Sequence, residues 1–175
     1  MNEQIIAVTV LGDDRPGIVA DVTEALAGLH GNFEDSTMAV LRGHFTMVLL
    51  VRTGAGAEAV EAALHALVAD GSMVVNARVL GELALPQGVG PIYSLRVHGS
   101  DRQGIVAEIT RVVARHDANI VDLGTRLGAG LYVLTAKLQL PSEASAAGLG
   151  ADLQSAADEL GVDVHLSTID DDVLW

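Results

Sequence analysis

The sequence contains no cysteine, so disulfide bonds, cysteine-ligated zinc sites and thiol nucleophiles are all excluded. Long apolar runs are also missing, because the hydrophobic half of the composition is spread in alternating and helical patterns. No segment is long enough to cross a bilayer, and no basic stretch precedes an apolar one at the N-terminus. We therefore expect a soluble, cytoplasmic protein that does not bind membranes.

Lysine is almost absent: Lys137 is its single occurrence, and the nine arginines are scattered. The formal net charge is −13, and both halves of the chain are acidic. Proteins that bind nucleic acid directly neutralise its phosphates with lysine and arginine. We therefore expect no direct nucleic-acid binding, and any control of transcription would act through a protein partner. The simplest meaning of the negative charge is solubility.

Several catalytic and metal-binding patterns are missing as well. The six histidines show no ligand spacing such as a pair four residues apart, so a metal site is not expected. The sequence has no serine elbow and no phosphate-loop lysine. Asp13 and Asp14 are adjacent and point in different directions, which does not suit a pair of catalytic acids. We predict no metal, no cofactor and no catalytic residue.

What the sequence does contain is an internal repeat with an offset of 87 residues. Residues 12–20, Gly-Asp-Asp-Arg-Pro-Gly-Ile-Val-Ala, return at 99–107 as Gly-Ser-Asp-Arg-Gln-Gly-Ile-Val-Ala. A repeat of this length indicates one structural unit used twice. The predicted organisation is a first domain over 1–81, a glycine- and proline-rich linker over 82–91, a second domain over 92–169 and an acidic tail over 170–175.

Both halves show the same order of elements. In the first half the patterns predict a strand, a helix after Pro16, a hairpin, a second helix and a last strand, at 4–11, 18–29, 33–41 with 44–52, 57–70 and 73–80. In the second half they predict strands at 92–98, 119–127 and 131–140, a helix from Ile105, a helix with Ser142 as N-cap, and a strand from Val162. The βαββαβ order predicts an α+β fold of two tandem ferredoxin-like units.

The repeated loop is a candidate ligand site, because a helix start after a strand and a glycine-bearing loop favours an anion. The neighbouring carboxylates would repel a phosphate and suit a zwitterion. An amino acid could place its carboxylate near Gly17 or Gly104. Its ammonium would then lie against Asp14 or Asp101 and the side-chain oxygen of Asn32 or Asn119.

Two other interpretations of the loop stay open at this point. In the first, Asp14 and Asp101 only cap their helices, the glycines only allow the turn and the asparagines only end helices. In the second, Arg15 and Arg102 bind an acyl phosphate in an acylphosphatase-like enzyme. The nearby carboxylates oppose the field that such a substrate needs.

The motif Asp-Arg-Pro-Gly-Ile-Val after a strand, followed by Gly-Asn-Phe-Glu-Asp-Ser and Phe45-Thr-Met-Val-Leu-Leu, resembles the ACT domain. Two such domains in tandem, with Asn-Phe-Glu-Asp-Ser at 32–36, resemble the glycine cleavage system transcriptional repressor family. The resemblance implies a non-catalytic regulatory module that binds amino acids at interfaces between ACT units. By position it implies ligand contacts at Gly12, Asp14, Gly17 and Asn32, and at Gly99, Asp101, Gly104 and Asn119.

Asp13, Ile18 and Ile105 lie within the same loops and complete the predicted ligand-binding set. The second copy departs from the pattern, since Gln103 replaces the proline and the Glu-Asp-Ser run is lost. Its site is therefore the weaker prediction. The expected ligand is a small amino acid, glycine or serine. The expected partner is a protein such as a DNA-binding regulator, and the resemblance implies action without a DNA-binding domain of its own.

Units of this size bury a marginal core, so we expect them to pack on each other or on a second copy, which makes a homo-oligomer. An alternative function of a different class follows from the same fold. A ligand-free interaction module would use its exposed sheet edges for assembly, because unpaired strand edges favour such pairing.

Overall fold

The computed structural model of the protein describes residues 3–81 and 90–169. The chain divides into two compact units between Ala84 and Leu85, a point inside the predicted linker 82–91. Residues 82–89 of that linker and the whole predicted tail 170–175 lie outside the described residues.

The first unit contains four strands and three helices. They are β1 (Gln4–Asp13), α1 (Ile18–Ala27), β2 (Asn32–Leu41), β3 (His44–Thr53), α2 (Ala57–Ala63), α3 (His65–Val68) and β4 (Met73–Val79). The second unit repeats this order with one long second helix. Its elements are β5 (Ile92–Ser100), α4 (Ile105–Arg115), β6 (Asn119–Gly128), β7 (Leu131–Gln139), α5 (Ser145–Leu160) and β8 (Val162–Thr168).

Each unit folds its four strands into one antiparallel sheet. The order is β2-β3-β1-β4 in the first sheet and β6-β7-β5-β8 in the second. Both edge strands β2 and β6 carry an irregularity at the same place, between Phe33 and Asp35 and between Ile120 and Asp122. The predicted α+β class and ferredoxin-like topology are therefore confirmed, twice in one chain.

The helices pack against one face of each sheet, which we call the inner face. In the first unit the alternate β3 residues are buried there, namely Phe45, Met47, Leu49 and Val51. Ile18, Val22 and Leu26 form the buried stripe of α1. Full burial of each such side chain contributes roughly 1.5–3 kcal/mol, so these stripes hold the helices on the sheet.

Two details of the helices differ from the sequence prediction. The helix predicted over 57–70 is interrupted at Leu64, where φ is −88° and ψ is 1° while the side chain stays fully buried. Ser142 does not cap α5, because residues 142–145 first form a turn, in which the Ser145 N–H donates to the Ser142 carbonyl. None of the described helices is long and apolar enough to span a membrane.

Candidate ligand-binding site

A short loop joins the first strand of each unit to its first helix. Its last residue, Gly17 or Gly104, is the N-cap of the helix and has a φ of 90° or 92°. This left-handed region is costly for any residue with a β-carbon. The turn itself therefore requires glycine at both positions.

The start of each helix has no side-chain cap. Neither Gly17 nor Gly104 has a side-chain oxygen, and no neighbouring side chain takes over that role. In α1 the Asp21 N–H donates to the Gly17 carbonyl at 2.9 Å. The N–H groups before Asp21 have no partner inside the helix and form the positive end of its dipole. The geometry therefore favours an anion at this point.

The interpretation of Asp14 and Asp101 as helix caps is wrong. The N-cap position belongs to the glycine three residues later, so neither carboxylate bonds to the helix start. The Asp14 backbone N–H donates to the Gly43 carbonyl at 2.9 Å, which ties the loop to the turn between β2 and β3. Asp14 and Asp101 are both exposed. Their charges are therefore available beside an uncapped helix start.

Asp13 and Gly12 have separate local contacts. The Asp13 carboxylate lies 3.5 Å from Nδ1 of His44 across the β1–β3 ladder, and its backbone N–H donates to the Ser72 carbonyl. A β-carbon on Gly12 would lie 2.3 Å from that same carbonyl oxygen. At Gly99 it would lie 2.8 Å from a methyl group of Val162. Both glycines therefore let the neighbouring edge strand, β4 or β8, come close. A ligand contact at Gly12 or Gly99 stays a prediction.

The two isoleucines of the predicted set lie in the core. Ile18 is 1% exposed and Ile105 is 2% exposed, so only their backbone N–H groups can reach a ligand at the helix start. The apolar spacing along each helix predicts that the next residues are buried as well, and this prediction is wrong, because Val19 and Val106 are 41% and 36% exposed. Each turns about 100° away from the buried stripe. Sequence reasoning therefore missed an apolar side chain beside each loop.

The two asparagines do not join the loop of their own unit. Asn32 pairs with Arg52, which also pairs with Ile5, whereas the loop follows Gly12 and Asp13 at the other end of β1. Seven residues of strand separate Ile5 from Gly12, which is about 23 Å. Asn119 lies away from its loop in the same way. Gln139 pairs with both Asn119 and Ile92, and Ile92 is at the end of β5 that is far from the loop. One small ligand cannot contact both the loop and the asparagine within one unit.

Each half of the repeat matches the same family model. A model of the ACT domain matches residues 4–77 and again residues 94–167. The chain belongs to the ACT domain family. The two matches cover most of both units, so the repeat consists of two ACT units in tandem. This membership supports a regulatory, ligand-binding role.

Three relatives show how far the similarity extends. The chain is 23% identical to the glycine cleavage system transcriptional repressor of Escherichia coli over 175 residues, covering 96% of this chain and 92% of that one. It is 54% identical over 44 residues to UPF0237 protein MK1213 of Methanopyrus kandleri, covering 25% and 49%. A crystal structure of an unknown protein from Galdieria sulphuraria superposes with a TM-score of 0.82 at 31% identity, covering 97% of this chain and 100% of that one.

The loop arginines of the two ACT units have different contacts. Arg15 donates to the Asp21 carboxylate on α1 at 2.7 Å. Arg102 lies over Gly161 at the end of α5, where its Nη1 would be 3.1 Å from an added β-carbon. The C-terminal end of a helix favours a cation. An acyl-phosphate site would have to draw Arg15 out of its ion pair, so this geometry does not favour the acylphosphatase-like alternative.

Each ACT unit also has a shallow cleft between its helices. The first, of about 330 Å³, is lined by Arg15, Asp21, Glu24, Ala25, Ala63, Ala66 and Leu67. The second, of about 220 Å³, is lined by Glu108, Arg115, Asp152, Ser155, Ala156 and Glu159. Neither of these clefts is lined by a residue of the predicted ligand-binding set.

Within residues 3–81 and 90–169, no group of three acidic or histidine side chains is arranged to hold a metal ion.

Proposed function

We propose that this protein senses a small amino acid, glycine or serine, at the loops between β1 and α1 and between β5 and α4. The observation that carries the proposal is the uncapped helix start at Gly17 and Gly104, with an exposed carboxylate at Asp14 and Asp101. This pairing of positive backbone and negative side chain occurs in both units.

The chemistry of the loop suits a zwitterion. The ligand carboxylate accepts hydrogen bonds from the free N–H groups of the first helical turn, which the dipole strengthens. The ligand ammonium lies against the Asp14 carboxylate as a charge-assisted pair. Val19 or Val106 offers an apolar surface beside the loop. Few atoms are buried, so weak affinity is expected.

The position of Asn32 points to a site completed by a second ACT unit. The strand β2 is an edge strand that runs from Asn32 to Leu41, and Leu41 pairs with His44 at the loop end of the sheet. If β2 pairs antiparallel with the same edge of another ACT unit, Asn32 of one unit comes beside the loop end of the other. Asn32 then contributes to the ligand site of the other unit, although it lies away from the loop of its own unit.

The signal passes to a protein partner that regulates transcription. Two features support this part of the proposal. The chain has a net charge of −13 and one lysine, which does not suit direct binding to nucleic acid. The Escherichia coli relative that spans the whole chain is named a transcriptional repressor of the glycine cleavage system. We infer that this protein acts on a DNA-binding regulator.

Calorimetric titration of the full-length protein with each of the twenty amino acids tests the proposal. Glycine or serine should bind, and Asp14→Ala should weaken binding by about tenfold or more, the loss expected for a charge-assisted hydrogen bond. Glu3→Ala is the matched control, because it removes an exposed carboxylate before the other end of β1. If no amino acid releases heat or raises the melting temperature, the sensing role is refuted.

A ligand-free assembly module is the second candidate function. The exposed apolar side chains on the edge strands favour it, because Met38 and Val40 on β2 and Leu123 and Leu127 on β6 are all more than two-fifths exposed. The same titration separates the two functions. A protein that assembles but binds none of the amino acids would be the module.

A further inference from the structure

The face of each sheet opposite its helices, which we call the outer face, differs between the two units. In the first unit it carries four strongly exposed apolar residues, Leu11 at 54%, Leu41 at 62%, Val48 at 42% and Val74 at 66%. The strand register places all four on one side of the sheet. Polar side chains share this side, with Thr9 and Thr46 near its centre and Asp13, His44 and Arg52 at its ends. Ile5, Ala7 and Leu50 lie among them and are partly buried.

The outer face of the second unit is polar at the corresponding positions. His98 stands where the first unit has Leu11, Thr135 replaces Val48 and Lys137 replaces Leu50. Arg96 and His165 lie on the same face, because Arg96 pairs with both Thr135 and His165. The fold therefore does not require an apolar outer face. An apolar patch that runs from Val74 through Leu11 to Val48 on one unit, and that the other unit lacks, indicates a contact surface.

The charges on the apolar outer face form a self-complementary pattern. Asp35, Leu50, Ala7 and Arg78 lie in one row across the sheet, with the two charges at opposite edges. Neither charge has an ion-pair partner among the described residues. A two-fold axis parallel to the strands would bring Arg78 of one copy over Asp35 of the other, and the reverse.

The size of this face suits a stable dimer. Three strands of ten residues and one of seven, with a rise of about 3.4 Å per residue and about 4.8 Å between strands, give about 600 Å² for each copy. Two copies would bury about 1,200 Å², which is the lower end of the range of specific protein interfaces.

We propose that the first unit packs its outer face against the same face of a second copy of this chain, as two aligned sheets related by a two-fold axis. Leu11, Val48 and Leu50 lie at the centre, on the two inner strands, and Arg78 and Asp35 pair at both rims. The outer face of the second unit is not the partner, because Arg96 and Lys137 lie on its two central strands and burying them against leucine and valine would leave their charges unpaired. Arg52 of the first unit lies at the end of its sheet and forms an ion pair with Glu34. The proposed ligand site uses the unpaired backbone edge of β2, whereas this surface uses the outward-facing side chains of the sheet, including Asp35 and Leu41 of β2.

Sedimentation of the full-length protein over a range of concentrations tests the surface, with Val48→Glu and the matched Thr135→Glu. Val48→Glu should raise the dissociation constant of the dimer about thirtyfold or more, because it buries a charge at the centre of the interface. Thr135→Glu should leave it unchanged. Thermal melting checks that both variants fold. A wild-type chain that does not self-associate overturns the proposal, and so does association through sheet edges that survives Val48→Glu.

The two-fold orientation has its own test by charge reversal. Arg78→Glu and Asp35→Arg should each weaken the dimer about fivefold, since each change disrupts two rim pairs. The double variant should restore the wild-type dissociation constant, because it exchanges the two charges. Asp122→Arg, the equivalent change in the second unit, should have no effect. Additive weakening in the double variant would rule out the proposed orientation.

Discussion

The two ACT units share a backbone and differ in what they present to their surroundings. Both have the same strand order, the same edge-strand irregularity and a left-handed glycine before the first helix. Their outer faces, their second helices and the contacts of their loop arginines differ. Positions that both units need for the turn or for close strand packing are therefore identical, while exposed positions are free to specialise.

The inner faces also differ, at positions that the repeat aligns. Phe45 in the first unit is 1% exposed, whereas the equivalent Tyr132 is only partly buried beside its core. Thr53 is the buried polar residue of the first unit, and Leu140 takes its place in the second. Each pair offers a way to measure how far the two units have diverged in stability.

The largest expected effect comes from the aromatic pair. Phe45→Ala should destabilise the first unit by about 3–5 kcal/mol, because it leaves a cavity in a fully buried part of the core. Tyr132→Ala should cost the second unit clearly less, since its ring is partly in solvent. Urea unfolding of the full-length protein, with hydrogen exchange to assign each transition to a unit, measures both. Equal costs would show that the two cores are equivalent at this position.

The next effect concerns the close strand contacts at the two glycines. Gly12→Ala should cost about 2–3 kcal/mol, because the new β-carbon meets the Ser72 carbonyl oxygen and the backbone must move. Gly99→Ala should cost less, about 1–2 kcal/mol, since the nearest atom is a Val162 methyl group and the closest backbone atom, the Val162 Cα, is 3.1 Å away. The same unfolding measurement ranks the two variants, and the reverse order would contradict this reason.

A smaller effect is expected where a polar residue in one core replaces an apolar one in the other. The Thr53 hydroxyl donates to the Leu29 carbonyl at 2.9 Å and accepts from the Ala55 N–H at 3.1 Å. Thr53→Val should therefore cost about 1–2 kcal/mol by leaving both groups unpaired. Thr53→Ser is the control that keeps the hydroxyl. If Val is tolerated as well as Ser, the first unit does not depend on this polar contact.

The smallest effect lies in the turn before the last strand. Hydrogen bonds from the side chain and backbone of Ser72 lower the pKa of Asp70 below its ordinary value. A lowered pKa contributes stability that is fully present above the ordinary pKa, and the contribution is lost as the pH falls through the lowered pKa. The difference in urea midpoint between wild type and Asp70→Asn should therefore shrink on acidification below about pH 4. Glu3→Gln, an exposed carboxylate outside this turn, is the control.

Much of the fold was predictable because hydrophobic periodicity and turn residues are local signals. The βαββαβ order and the hairpins at Arg42-Gly43 and Ala129-Gly130 follow from patterns within each segment. The break at Leu64 and the exposure of Val19 and Val106 were not predictable in this way. The exposure of the two valines depends on how wide a stripe of each helix the sheet covers, which is a property of packing.

The loop of the candidate site was predictable from the sequence, but the positions of its residues relative to one another were not. The repeated motif identified Asp14, Gly17 and their counterparts, since a glycine before a helix and a nearby acid are visible in the sequence. The separation of Asn32 from that loop was not visible in the sequence. Asn32 lies level with the start of β1, whereas the loop follows the end of β1. The register of β1 and β2 on β3 set that distance.

The sequence by itself determined that one unit is used twice, that each unit alternates strands and helices in one order, and that two loops carry glycine and aspartate at matching places. These features depend on composition and spacing along the chain. Only the tertiary structure decided that Asp14 does not cap its helix, that Asn32 lies away from its own loop, and that one outer face is apolar while the other is polar. Those features depend on strand register and on which face the helices cover, because both bring together residues that are distant in the sequence.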